Sequence, residues 1–226
     1  MTRSIMIALF VTVIALILFA TSRRNAASAA SVLPDSAIDE KLAAQPGQET
    51  VVFAGGCFWG VQAVFEHVKG VTRTAAGYSG GTVKNPGYED VSSGETGHAE
   101  SVEIAYDPSK ITFGTLLKVF FSVVHDPTQL NRQGPDSGTQ YRSAIFFSNS
   151  EQQRIAQAYV NQLDQAKVFS APIVTQIVPL TAFYRADEYH QDYAAHHPDN
   201  PYIAICDLPK LKNFQQQFPS LYVAKP

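Results

Sequence analysis

Two cysteines stand among 226 residues, and one of them sits in a glycine-framed turn that could do chemistry. Cys57 lies within Gly55-Gly56-Cys57-Phe58-Trp59-Gly60, after the short apolar run Val51-Val52-Phe53-Ala54 and ahead of helically spaced Val61, Val64 and Phe65. That order reads as strand, glycine turn, helix, and it puts the thiol at a helix start. Amide N–H groups there favour a thiolate and bring cysteine pKa values down to about 3.5–7.5. Cys57 is thus a candidate nucleophile; a buried inert thiol is the alternative. Flanking glycines let backbone and substrate approach closely. Phe58 and the sole tryptophan, Trp59, can wall an apolar cavity. Disulfide exchange most often uses Cys-x-x-Cys, whereas Phe58, Trp59 and Gly60 follow this cysteine.

The elements that must hold this turn follow from periodicity. Strands are expected at Val71 to Gly77, Ala99 to Tyr106, Tyr141 to Phe147 and Ile173 to Leu180. Amphipathic helices are expected over Thr112 to Val124, over Ser150 to about Lys167 with Ser150 as N-cap, and over Thr181 to Ala194 on the spacing of its aromatic residues. Tyr78 to Gly94 and Thr128 to Thr139 read as long polar loops, and loops of that length are usually functional or mobile. Beyond Pro201 the tail reads as irregular. Strands and helices mix without strict alternation, so the fold class is α+β, with a mixed sheet in one domain.

With those elements placed, a series of motifs resembles the peptide methionine sulfoxide reductases of the A class. It comprises Gly56-Cys57-Phe58-Trp59-Gly60, Ala75-Ala76-Gly77-Tyr78-Ser79-Gly80-Gly81, Asn85-Pro86-Gly87-Tyr88, Ser93 to Glu100, Tyr106-Asp107-Pro108, His125 to Gln129 and Gly138 to Ser143, in order and covering about residues 50 to 205. The resemblance implies a two-layer sandwich, a central mixed sheet flanked by helices. It also implies thiol-dependent reduction of methionine S-sulfoxide, in proteins and free, through a cysteine sulfenic acid. In that scheme Cys57 attacks sulfur, while Glu100, Tyr88 and Tyr141 hydrogen-bond and protonate the oxygen. Phe58 and Trp59 hold the methyl group, and Asp136 orders the site. Glu100 must be buried to keep its proton near neutral pH. No bound cofactor or metal is implied; the reductant is an external thiol such as thioredoxin or a thioredoxin-like relay.

The tail departs from the family pattern. A Gly-Tyr-Cys run is replaced by Asn200-Pro201-Tyr202-Ile203-Ala204-Ile205-Cys206, which leaves Cys206 as either a resolving cysteine or a bystander. A thiol peroxidase or disulfide exchange enzyme is the alternative function, though it needs neither the aromatic pair nor the acid. His190, His196 and His197 with Cys206 lack metal-ligand spacing.

Composition sets the setting. Hydrophobic residues are 45% and charged residues 16% of the chain, enough for a sizeable core, and 17 basic against 20 acidic side chains exclude nucleic acid as the main partner. Ile5 to Ala20 is apolar except for Thr12, with Arg3 before it and Arg23 and Arg24 after it. The run falls between a signal core of about 7–15 residues and a spanning helix of about 20. Ala27-Ser28-Ala29 suits cleavage and the arginines suit retention, so residues 1–30 are expected to be a signal peptide or a membrane anchor. Either puts the catalytic domain outside the cytoplasm, periplasmic or extracellular. Residues 31–48 are expected as a flexible linker and 49–226 as the catalytic domain.

Overall fold

Which face of each strand is buried follows from where its apolar residues fall. A computed structural model describes residues 33–225, so the signal or anchor expected at 1–30 lies outside the described residues. In β1 (Glu49–Gly55), Val51 and Phe53 enter the larger core cluster, while Val52 and Ala54 enter a smaller one on the opposite face. A strand buried on both sides belongs mid-sheet, and β1 lies between β3 (Ala99–Tyr106) and β6 (Ser143–Phe147). The full order is β7-β6-β1-β3-β2-β8, with β2 at Val71–Ser79, β7 at Gln176–Pro179 and β8 at Phe183–Arg185. Only β6 and β7 pair in parallel, which makes the sheet mixed, as expected. A separate two-stranded ribbon joins β4 (Arg132–Gln133) to β5 (Asp136–Ser137).

The helices gather over one face. α1 (Phe58–Glu66), α3 (Phe113–Val119), α4 (Ser150–Gln165) and α6 (Leu208–Gln217) all send side chains into the larger cluster, where Phe53 stacks on Phe120 with centroids 4.6 Å apart. Full burial of one such ring contributes about 1.5–3 kcal/mol. The other face carries the small cluster of Val52, Ala54, Ala99, Ala144 and Phe146. The architecture is the two-layer α+β arrangement.

Several element boundaries differ from expectation. Within the Tyr78–Gly94 loop a short helix, α2 (Tyr88–Ser92), forms after Gly87, whose N–H donates to Asp90 Oδ2 at 2.9 Å. The Thr112–Val124 helix tightens to α3 and then widens into a π turn at Phe120–Val124. Asn149, not Ser150, caps α4: it is extended, and its Oδ1 accepts from Gln152 N–H at 2.9 Å. The segment Thr181 to Ala194 is not one helix but β8, a 3-10 turn at Glu188–His190 and the start of α5 (Tyr193–His196). The cause is long-range. Gln191 bonds the edge of β2, accepting from Ala76 N–H at 2.8 Å and donating to Ala76 O at 3.0 Å. The tail is helical too, a π turn at Ile203–Asp207 running into α6.

Residues 33–48, expected as a flexible linker, hold no helix, yet they dock. Leu33 joins the core cluster, Pro34 O accepts from Tyr159 Oη at 2.8 Å, and Asp39 Oδ1 and Glu40 Oε1 accept from Gly114 and Phe113 N–H at 2.9 and 2.8 Å. Two carboxylates thereby satisfy the free amides at the start of α3. Among the described residues no helix is long and apolar enough to cross a membrane.

Candidate active site

β1 delivers the chain to a turn that only glycine can make. Gly56 has φ +92°, and a Cβ there would come within 2.6 Å of Gln133 Cβ. Cys57 follows as the N-cap residue of α1, and its side chain makes no capping hydrogen bond. That service comes from elsewhere. Glu100 Oε2 accepts the Phe58 N–H at 3.0 Å, so a carboxyl from β3 satisfies the first amide of α1 and leaves the sulfur free for chemistry. Strand alternation explains its position: Glu100 shares a face with Val102, Ile104 and Tyr106, the face on which α1 lies. It stands opposite Tyr78 of β2.

Cys57, Phe58, Trp59, Tyr88, Glu100, Asp136 and Tyr141 line one cavity of about 200 Å³, so the structure brings together every expected catalytic and substrate-binding residue. Tyr202, which the sequence reading passed over, lines it as well, and its hydroxyl donates to Asp136 Oδ2. This bond ties the tail to the 132–137 ribbon. Trp59 stacks on Tyr193 at 3.9 Å between centroids and meets Tyr202 edge-on at 6.2 Å. Tyr88 packs on His190 at 4.4 Å. The only sequence signal for these supporting rings is the density of aromatic residues and histidines between 183 and 202. Cys206 does not line the cavity. It lies in the π turn beside Asp207, and both it and Cys57 are free thiols.

The electrostatics divide between expectation and surprise. Glu100 is 2% exposed, and burial, with Asp136 and Asp207 nearby, pushes its pKa up to about 8, against the opposing pull of the Phe58 N–H and Cys57. It therefore carries a proton near neutrality. Burial first, and then the charge of Glu100, raise Tyr141 above the ordinary phenol range; burial also raises Tyr88. Both remain donors. Cys57 corrects the sequence reading. Burial, Glu100 and Asp207 push its thiol well up, and the Trp59 N–H and Lys210 only partly offset them. A helix start lowers a thiol pKa and burial raises it, and here desolvation beside carboxyls wins. Cys57 still lines the cavity, the residue being 7% exposed.

Comparison with known proteins agrees with this geometry. The family model described as peptide methionine sulfoxide reductase matches residues 49–221. The peptide methionine sulfoxide reductase MsrA 2 of Mesorhizobium japonicum is 60% identical over 189 residues, covering 84% of this chain and 96% of that protein. Its namesake in Synechocystis is 51% identical, covering 83% and 88%. Among solved structures, methionine sulfoxide reductase A of Corynebacterium diphtheriae matches with TM-score 0.59 at 39% identity, covering 69% of this chain and 77% of that one. Reduced Mxr1 of Saccharomyces cerevisiae matches with TM-score 0.61 at 30% identity, covering 75% and 94%.

Proposed function

The chain belongs to the peptide methionine sulfoxide reductase family, an oxidoreductase that reduces methionine sulfoxide in oxidised proteins, and from that premise we propose how its residues divide the reaction. Cys57 is the nucleophile and Glu100 the acid; Tyr88 and Tyr141 hold the sulfoxide oxygen, and Phe58 with Trp59 receive the methyl group. The observation that carries this reading is the protonated Glu100 carboxyl held on the Phe58 amide, one residue from the sulfur, at the wall of the same cavity.

The electrons balance on two sulfurs. Glu100 gives its proton to the sulfoxide oxygen and takes the Cys57 thiol proton as that sulfur attacks. The oxygen ends on Cys57 as a sulfenic acid, the substrate sulfur leaves as a thioether, and one sulfur is reduced by two electrons while the other is oxidised by two. A thiol then condenses with the sulfenic acid, releasing water and forming a disulfide, and a second thiol frees Cys57. An external dithiol of thioredoxin type fits that demand, with Cys206 the candidate relay because its turn packs against the start of α1. Likeness to A-class relatives supports preference for the S epimer, whether free or in a protein. A raised thiol pKa weighs against thiol peroxidase or disulfide exchange, which work through a ready thiolate. The sequence of residues 1–30 supports export or membrane anchoring, and the intact mass of the mature protein distinguishes the two.

Single-turnover reduction of separated sulfoxide epimers tests the assignment. Cys57→Ser is expected to abolish reduction of the S epimer; unchanged multiple turnover in that variant would sink it.

A further inference from the structure

The tail brings to the first turn of α1 a charged pair that the scheme above does not use. Asp207 is 1% exposed, and its Oδ1 accepts a hydrogen bond from Lys210 Nζ at 3.1 Å. Its Oδ2 has no hydrogen-bond partner among the described residues. The carboxylate rests directly on Gly60: a Cβ there would lie 2.1 Å from Asp207 Oδ1 and 2.9 Å from Lys210 Nζ. Gly60 is therefore the residue that permits the approach. A buried carboxylate with one oxygen unpaired is costly for a fold to keep. Here it is kept against Gly60, three residues after Cys57, at the positive end of a helix whose amides would otherwise favour a thiolate.

We propose that Asp207, seated on Gly60 and held there by Lys210, is a positioning residue that sets the charge state of Cys57, competing for the positive end of α1 and keeping the sulfur a thiol in the free enzyme. The inference rests on Cys57 being the nucleophile. The other groups facing that sulfur are Glu100 from β3, Tyr88 from α2, Asp136 and Tyr141 from the 132–141 segment, and Tyr202 ahead of the π turn. Burial weighs most on Cys57; Asp207 adds to it in the same direction as Glu100, and Lys210 acts against them. The consequence is chemical selectivity. Oxidants and electrophiles at large react with thiolates, so a sulfur held as a thiol is spared from them.

The test is the rate of iodoacetamide alkylation at Cys57 from neutral to alkaline pH, followed by the mass of the peptide that contains it so that Cys206 does not contribute. Wild type, D207N and D207N/K210M are compared. D207N keeps the shape and an acceptor for Lys210, and it is expected to lower the alkylation midpoint by about one pH unit, roughly tenfold faster reaction at neutral pH. The double variant loses the opposing cation as well and falls between D207N and wild type, whereas D207E retains the wild-type midpoint. The double variant leaves no unpaired buried charge, so it carries the test should D207N fold poorly; its midpoint must still lie below that of wild type. A double variant that matches wild type, or one displaced further than D207N, overturns the proposal, the first because the pair then has no net effect on the charge state of the sulfur and the second because the change is loosening. Alkylation reads the acidity of one sulfur and turnover of Cys57→Ser reads its role, so the two readings fail separately.

Discussion

α1 has a buried carboxyl at each end, and only one of them faces chemistry. Near its start Glu100 is 2% exposed, and near its finish Glu66 is 6% exposed; burial pushes each up to about 8. Around Glu66 the neighbours are Thr74, which donates at 3.5 Å, and Asp192, which pairs with Gln62 through hydrogen bonds of 3.1 and 3.0 Å. Glu66, Gln62 and Asp192 line a cavity of about 50 Å³ with no thiol in it. Glu100 instead opens, with Cys57 and three phenols, onto about 200 Å³. A raised pKa is thus a signature of burial shared by both ends. What makes one end reactive is the nucleophile and the proton donors gathered at one opening. Trp59 lines both cavities and separates the two environments.

The comparison breaks most sharply at the carboxyls themselves. Glu100→Gln should slow single-turnover reduction by about 100-fold to 10,000-fold, the range general acid catalysis supplies. Glu66→Gln should leave it within a few fold, and equal losses in the two variants would erase the distinction. The pH profile sharpens it further. Glu100 must hold its proton to serve as acid, so kcat/KM should fall as pH rises through about 8, and Glu100→Gln should lose that limb while Glu66→Gln keeps it. A smaller effect is expected at the shared wall. Trp59→Ala removes the surface meant for the substrate methyl and the stack on Tyr193, so KM should rise about fivefold to tenfold with a lesser change in kcat.

The reactive end was legible in the sequence and the surrounding order was not. Gly56, Cys57 and the alternation that carries Glu100 onto the α1 face are local signals, and the motif series supplied Tyr88, Asp136 and Tyr141. The acidity of Cys57 is not legible locally because a helix-start argument counts only neighbouring amides, while burial decides it first, joined by charges from β3 and from a turn 150 residues later in the chain. The tail beyond Pro201 reads as irregular, yet it is helical, with Pro209 tolerated in the first turn of α6. Aromatic spacing over 181–194 suggested one helix, and Gln191 binding the β2 edge prevents it. The Cys57 and 181–194 differences are ones of long-range burial, charge or hydrogen bonding, to which a local pattern is blind.

The smallest expected effect concerns stability, and it isolates what burial alone does. The Glu66 pKa is raised from 4.5 to about 8 by burial and then by Asp192, so between those values the folded chain holds a proton that the unfolded chain has released. Folding stability attributable to this group is then complete below about 4.5, declines as pH rises through that window, and levels off above about 8. Glutamine mimics the protonated carboxyl at every pH. Glu66→Gln should therefore match wild type at acidic pH and exceed it by about 1–2 kcal/mol at mildly alkaline pH, a fraction of the 1.36 kcal/mol per pKa unit because water reaches a partly relaxed site. Urea unfolding at the two pH values reads the difference. A constant offset between the curves would mean that the carboxyl is already ionised in the folded chain, and the likeness between the two ends of α1 would reduce to position alone.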